Sequence, residues 1–399
     1  MKICFFTFYY PPDLSAGSFR SEALVENLIS QMDAKDNLLV ITTMPNRYRS
    51  YELKAEVLTI KRNLKIFRIQ LPKHTGTMFS QAFSFSIYFF KAMRICLKEK
   101  PDYLIGTSGR LMTAILTWFT SSLIRKPYAI DLRDIFSETI SDLFLKKNIF
   151  TGKVLYKLFS YFDRRVLLNA NCVNVVSKGF PKYFEEKGID TSKWLFYPNG
   201  IDDIFLHENI SKINLYNPEI TILYAGNIGH AQGLDKIVPQ VAKKMGRNYR
   251  FIIIGDGSAR EKLITSIERN NVKNVTIIDP VNRQELLNYY RQSDVLFLHL
   301  DNIPAFKRVL PSKLFEYAAM GKPIVAGIEG YSTEFTRDHI PYSLIFKPGQ
   351  VDQCVKCIIK STSMVIEESA INYFTNNFSR HKIMKSFACD LLEYSKIKS

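Results

Sequence analysis

Long apolar runs are absent from this sequence. The two longest candidates, "AFSFSIYFF" and "LMTAILTWFTSSLI", fall short of the ~18 residues that a membrane-crossing helix needs, which argues against an integral membrane protein. The opening "MKICFFTFYYPPD" meets Pro-Pro within ten residues and has no small-residue cleavage site, so it reads as a buried strand rather than a signal peptide. Cysteine is sparse: the six at positions 4, 96, 172, 354, 357 and 389 follow no disulfide framework, which suits a reduced, intracellular protein. Cys354 and Cys357 form a C-x-x-C without a second Cys or His pair at zinc-site distance, and the pair reads as one face of a helix. Missing too are a G-x-G-x-x-G after the first strand with an acid about twenty residues on, which excludes a nicotinamide dehydrogenase, and any helix-turn-helix, RNA-recognition or zinc motif. Without those motifs, nucleic acid is not expected as a partner. Neither short-period repeats nor low-complexity segments occur.

What is present is ordinary globular composition, 399 residues with 46% hydrophobic and 23% charged, enough for two domains. The net charge of +16 is uneven. Residues 1–200 hold 29 Lys and Arg against 17 Asp and Glu, and the remainder 25 against 21. A basic first half points to an anionic partner: nucleic acid, a phospholipid surface or a phosphorylated substrate. Strand-like runs alternate with helical patterns: "KICFFTFYY", "NLLVITTM", "LKIFRIQL", "PDYLIGTS", "PYAIDLR" and "CVNVVS", then, after "LFYPNGIDDIF", "EITILYAGNIG", "YRFIIIGDGS", "NVTIIDPV", "SDVLFLHL", "KPIVAGI" and "SLIFKP". That alternation predicts two doubly wound α/β domains, over 1–198 and 216–375, with a helix over 376–399 returning to the first.

In such sheets ligands sit beyond the carboxyl ends of the strands, so the glycine turns there are candidates. The first, "YYPPDLSAGSFR", puts Gly17 and Ser18 before a helix expected near Phe19, with Arg20 placed to neutralise an anion. The second, "YAGNIGHAQG", contributes Gly226, Asn227 and Gly229 before a helix near Leu234. In the third, "IIIGDGSAREKL", the turn glycine is Gly255. A fourth stretch, "RVLPSKLFEYAAMGKPIV", opens a helix at Pro311-Ser312-Lys313, sets Glu316 one turn in and breaks at Gly-Lys-Pro.

Order and spacing of six segments, "YYPPDLSAGSFR", "PNGIDDIF", "ILYAGNIGHAQGLDKIV", "FIIIGDGSAREKL", "RQELLNYYRQSDVLFL" and "LPSKLFEYAAMGKPIVA", resemble the retaining glycosyltransferases of family 4. The resemblance implies a GT-B fold, two Rossmann-like domains facing a central cleft. "RDIFSE" and "PSKLFEY" resemble the branch that builds bacterial O-antigens, capsules and exopolysaccharides, including N-acetyl-L-fucosaminyl transferases. It implies transfer from a nucleotide sugar with retention, by a front-face attack that needs no enzymic nucleophile. Charge developing on the leaving diphosphate needs a metal or fixed positive groups. With no Asp-x-Asp in a plausible metal loop, a metal-free site without cofactor is expected. Ser312 would cap the helix, Lys313 would reach the diphosphate and Glu316 would take the ribose hydroxyls, since a spacing of three puts the last two on one face; a plain surface ion pair is the other reading of that spacing. Leu310 and Pro311 lead into this turn, and backbone near Pro280 and Val281 would read the base. The sequence departs from the family pattern in three places. Arg308 stands where the family has its first glutamate. Asn227 and Gln232 stand where it has an arginine and a lysine, so phosphate neutralisation falls to Lys313, Arg308, Lys307 or Arg20. Arg133 and Asp134 occupy the loop that commonly offers a histidine; Asp134 would orient the acceptor hydroxyl or hold Arg133, and Asp131 is a further candidate, while Asp-Arg-Asp clusters are also common structural ion pairs.

For the acceptor, "DLFLKKNIFTGKVLYKLFSYFDRRVLL" spaces Ile149, Phe150, Val154, Leu158 and Phe162 at helical intervals among Lys146, Lys147, Lys153 and Lys157, and "FSQAFSFSIYFFKAMRICLK" adds aromatic and basic residues. Such helices lie on an anionic bilayer or pack their apolar faces on the sheet. The expected enzyme is thus peripheral on the cytoplasmic face of the membrane, moving an N-acetylated hexosamine or deoxyhexosamine from a UDP-sugar to a polyprenyl-diphosphate-linked saccharide. The alternatives are a UDP-sugar 2-epimerase of the same fold and a non-catalytic partner subunit.

Overall fold

The computed structural model describes residues 1–13, 15–45, 55–72, 78–108, 111–135, 149–206 and 219–397. Two compact units emerge, one formed by Met1–Asn199 with Arg380–Ser399, the other by Gly200–Ser379.

The first unit holds strands β1 (Lys2–Phe6), β2 (Asn37–Thr43), β3 (Leu58–Lys61), β4 (Leu64–Ile69), β5 (Tyr103–Thr107), β6 (Tyr128–Leu132), β7 (Cys172–Val175) and β8 (Leu195–Phe196), in the order β3-β4-β2-β1-β5-β6-β7-β8. Helices α1 (Ala16–Gln31), α2 (Met78–Glu99), α3 (Leu111–Ile124), α4 (Ile149–Asn169) and α5 (Phe180–Glu185) lie between them in the chain. Parallel strands covered on both faces read as unbroken apolar runs, and "YLIGT" of β5 and "YAIDL" of β6 are buried throughout. The sequence reading has no counterpart for β3, which is antiparallel to β4 and mostly exposed at the sheet edge; "LTIK" lacks the apolar run that marks a covered strand. Helix α1 starts at Ala16, not near Phe19, because extended Ser15 caps it, its hydroxyl accepting from the Ser18 N–H at 3.2 Å.

The second unit has β9 (Ile220–Ala225), β10 (Tyr249–Ile254), β11 (Val275–Ile278), β12 (Val295–His299), β13 (Ile324–Gly327) and β14 (Ser343–Phe346), in the order β11-β10-β9-β12-β13-β14 and parallel throughout. Numbered within the unit this is 3-2-1-4-5-6, the dinucleotide-binding order with its switch point beside β9. Its helices are α6 (Leu234–Met245), α7 (Arg260–Arg269), α8 (Arg283–Gln292), α9 (Lys313–Ala319), α10 (Tyr331–His339), α11 (Val351–Ser361) and α12 (Glu368–Phe378). The period of two along a strand divides β9 between two cores: Leu223 and Ala225 join α8, α9 and α12, while Ile222 and Tyr224 join α6 and α11. Cys354 lies in the second of these cores and Cys357 packs against it. Burial pushes both thiols up, the opposite of a reactive thiolate.

The predicted helix from 376 is two helices. Helix α12 ends at Phe378, Ser379 turns away (φ −57°, ψ 126°), and α13 (Arg380–Ile397) packs on α1 of the first unit. Where the chain enters and leaves the second unit it is stitched: the Ile201 N–H donates to the Phe378 carbonyl at 2.7 Å, and Arg380 Nε donates to the Asn199 carbonyl at 3.0 Å.

Candidate active site

In the second unit, the stretch from Arg308 to Val325 converges on one buried carboxylate. Glu316 is 6% exposed, and its Oε2 accepts from Lys313 Nζ at 2.8 Å and from the Tyr290 hydroxyl of α8 at 3.0 Å. Spacing of three on α9 brings Lys313 and Glu316 together, and burial of the carboxylate rules out the plain surface pair. The sequence reading did not single out Tyr290, whose hydroxyl burial pushes far above its ordinary range, with Glu316 adding to the shift. Tyr317, one residue on, accepts from the Ala225 N–H at 3.1 Å and so ties α9 to the end of β9. Ser312 does not cap: its backbone is already helical (φ −60°, ψ −26°) and its side chain makes no cap bond. The first-turn N–H groups of Leu314 and Phe315 go to the carbonyls of Pro311 and Ser312. Leu310 is core. Arg308 donates to the Pro304 carbonyl at 3.5 Å, while Lys307 pairs with Glu329 at 3.0 Å. Val281 packs on the core beneath α8. Lys322, in the Gly-Lys-Pro break, is a structural cation: it donates to the carbonyls of Arg291 and Ser293 at the end of α8, where a positive charge complements the helix dipole.

The glycine turns of this unit interlock. A Cβ on Gly255 would lie 1.8 Å from the Gly226 carbonyl oxygen, and one on Gly226 would meet Lys313 Cε at 3.3 Å. The two turns therefore lie against each other, and Lys313 lies over the Gly226 backbone. Gln232 shapes the loop: its Oε1 accepts from Asn227 Nδ2 and from the Gly229 N–H, both at 3.1 Å. His299, at the end of β12, anchors it. The Gly349 N–H donates to Nε2 at 3.0 Å, which requires a lone pair there, so the proton sits on Nδ1 and donates to the Gln232 carbonyl at 2.6 Å. Burial lowers the affinity of this imidazole for a second proton, with Gln232 and Asp301 opposing. The unfolded chain then binds that proton more readily. The stabilisation is complete above the ordinary histidine value of about 6.5 and is lost as pH falls below it. Melting of the protein between pH 7 and 5 should accordingly drop less steeply in His299→Gln than in the parent; equal slopes would remove His299 from the account.

In the first unit the structure corrects Arg20 and Asp131. Arg20 is 1% exposed: Nε and Nη2 hold both oxygens of Asp131 at 2.8 and 2.9 Å, and Nη1 and Nη2 donate to the carbonyls of Pro198 and Tyr197. Asn174 donates to Asp131 as well, at 2.6 Å. Burial would raise the Asp131 carboxyl, but Arg20, with Arg133 and Asn174, outweighs it and holds the group below its usual range. Both are committed to structure, leaving no guanidinium to face a phosphate and no carboxylate to face an acceptor. Ser18 is buried, its N–H given to Ser15. Gly17 makes room for Arg133, whose Nη1 lies 2.7 Å from where a Cβ would stand. The Arg133 N–H donates to Ser108 Oγ at 2.8 Å, and its Nε is buried without a partner among the described residues. Asp134 is exposed, yet the crowd of protein atoms around it pushes its carboxyl up to about 6, with Arg133 pulling the other way. Of the Asp-Arg-Asp cluster, Asp134 alone offers its carboxylate to solvent.

Helices α2, α3 and α4 pack side by side on this unit. Phe150, Val154, Leu158 and Tyr161 of α4 are between 48% and 76% exposed, and Lys153 and Lys157 between them are exposed too. These side chains point outward and do not pack on the sheet; Phe162 turns in against Trp118. Phe83 and Phe90 of α2 and Phe119 and Leu123 of α3 are also exposed. Lys146 and Lys147 lie outside the described residues. Among those residues no helix is long and apolar enough to cross a membrane, and no group of three or more His, Cys, Asp or Glu side chains is placed to hold a metal ion.

Residues 207–373 match the family model for glycosyl transferases group 1. That match takes in most of the second unit, which is thus similar to a group 1 glycosyltransferase domain. Around this domain the likeness extends along most of the chain: over 353 residues it is 25% identical to WcaI of Escherichia coli K12, named as a colanic acid biosynthesis glycosyl transferase, covering 83% of this chain and 84% of that one. Among solved structures, sucrose-phosphate synthase from Thermosynechococcus elongatus superposes with a TM-score of 0.74 at 13% identity, over 98% of both chains. HepE of Anabaena, solved with UDP and glucose, gives 0.67 at 15% identity over 98% of this chain and 99% of that one. The matched unit and the one that surrounds it in sequence thus have the GT-B fold.

Proposed function

We propose that this glycosyltransferase moves a sugar, an N-acetylated hexosamine or deoxyhexosamine, from UDP to a lipid-diphosphate-linked saccharide in bacterial surface polysaccharide synthesis. Transfer proceeds with retention and without a metal, at the cytoplasmic face of the membrane. The observation that carries the reading is the Lys313–Glu316–Tyr290 cluster beside the interlocked glycine turns, at the switch point where doubly wound sheets take nucleotides. An ammonium has three donors, and Lys313 uses two on Glu316 and Tyr290. The third serves a diphosphate oxygen, while the carboxylate held by Lys313 and Tyr290 takes ribose hydroxyls. Fixed positive charge against a leaving diphosphate works without reorganisation. Asp134 orients the acceptor hydroxyl, and the leaving diphosphate takes the acceptor proton. The outward apolar stripe of α4 with its lysines supports a bilayer-bound acceptor. WcaI supports the polysaccharide role, and the HepE complex supports UDP.

Calorimetry of the purified protein against UDP, GDP, ADP and dTDP, with and without chelator, tests this reading. UDP alone is expected to bind, unaffected by chelator, and UDP is expected to be released from the sugar donor only when acceptor is added. Binding of none of the four removes the donor site, and turnover of the UDP-sugar without acceptor and without UDP release would favour an epimerase.

A further inference from the structure

A group of cations gathers in the first unit, between β4 and α2. A cavity of about 410 Å³ opens there between β4 and the second half of α2. Four cations line it, Arg68, Lys91, Arg94 and Lys98, and among the described residues no acidic side chain does. Three of them stand at spacings of three and four on one flank of α2, an arrangement that repels along a helix. None of these three has an ion-pair partner among the described residues. The only acid of α2, Glu99, is taken by Lys2 and Lys65.

Arg68 is the built element. It is 91% buried by its 9% exposure, fixed by the carbonyls of Glu56 and Pro11 and the Thr59 hydroxyl, and its Nε is buried with no partner among the described residues. Burial works against its charge, and Tyr10 and Glu56 offset that in part. The remaining lining is apolar at Val57, Phe67, Ile69 and Ile95, with Gln70 as its one neutral polar side chain among the described residues. Along α2 the exposed Phe83, Phe90 and Leu97 recur every seven residues, a stripe running beside the cations. Positive charge in an apolar recess, flanked by an outward apolar stripe, matches an anion carried on a hydrocarbon tail.

We propose that this cavity binds the phosphate group of a membrane amphiphile, with the tail lying against Val57, Ile95 and the α2 stripe. The site is independent of the donor reading, since every residue in it belongs to the first unit and none is assigned to transfer.

Calorimetric titration of the full chain with dihexanoyl phosphatidic acid below its micelle concentration tests it away from any bilayer, so that α4 contributes nothing. One molecule is expected to bind per chain. Inorganic phosphate should bind at least about tenfold more weakly, and dihexanoyl phosphatidylcholine not measurably. The exposed double variant Arg94→Ala/Lys98→Ala should lose about tenfold or more, and Ile95→Trp, which fills the recess and keeps every charge, should lose binding as well; UDP binding stays unchanged in both. Equal affinity for phosphate and phosphatidic acid would mean a free-anion site and overturn the proposal, as would binding that neither variant weakens or no binding at all.

Discussion

Glu316→Gln is expected to lower kcat/KM for the nucleotide sugar about 100-fold while leaving the melting temperature within a few degrees of the parent. The amide keeps the shape, and its oxygen still accepts from Tyr290, so the buried contact at 3.0 Å survives. What disappears is the charge. Hydrogen bonds to an ionised group are worth about 1.5–3 kcal/mol against about 1 for neutral ones, and Lys313, 2.8 Å away, loses the carboxylate that positions it. Because ribose contacts exist in the bound donor as well as in the transition state, much of the loss should appear in KM. Steady-state kinetics with calorimetry of UDP binding separate the two. A variant that turns over normally, or that fails only because it has unfolded, would remove Glu316 from donor binding.

Arg20→Ala should cost about 3–5 kcal/mol of stability, because it strands Asp131 inside the first unit with Asn174 as its remaining side-chain partner. The effect is larger than for an exposed pair since both side chains are 2% exposed or less. Replacing both residues by apolar ones of similar size should recover most of the loss. Urea titration of the two variants measures the difference. UDP affinity should be unchanged in the double variant, as expected of an arginine spent on structure; a stable Arg20→Ala protein with weakened UDP binding would restore it to the donor site.

Most of the two sheets was legible because covered parallel strands leave apolar runs, and twelve of the fourteen strands among the described residues answer to such runs. The exceptions explain themselves: β3 is an exposed edge, and β8 is two residues long. The Lys313–Glu316 pair was legible from spacing on a helix. Its third member was not, since Tyr290 reaches it from another helix, 26 residues away in the chain. Arg20 illustrates the converse. A cation following a glycine turn looks like a phosphate ligand until the fold supplies a carboxylate 111 residues on, and no local pattern announces such a partner. His299 belongs with it: one histidine in an apolar strand gives no sign that it clamps two loops.

The stitching at Asn199–Arg380 and Ile201–Phe378 bears on the order of assembly. The second unit is an insertion within the first, entering and leaving through neighbouring hydrogen bonds. During synthesis, α1 emerges long before its partner α13, which must wait for the whole inserted unit to be made. Bringing those ends together costs loop-closure entropy while the insert is unfolded, and a folded insert has already joined them. The amino-terminal unit, first out of the ribosome, is therefore the last to be completed.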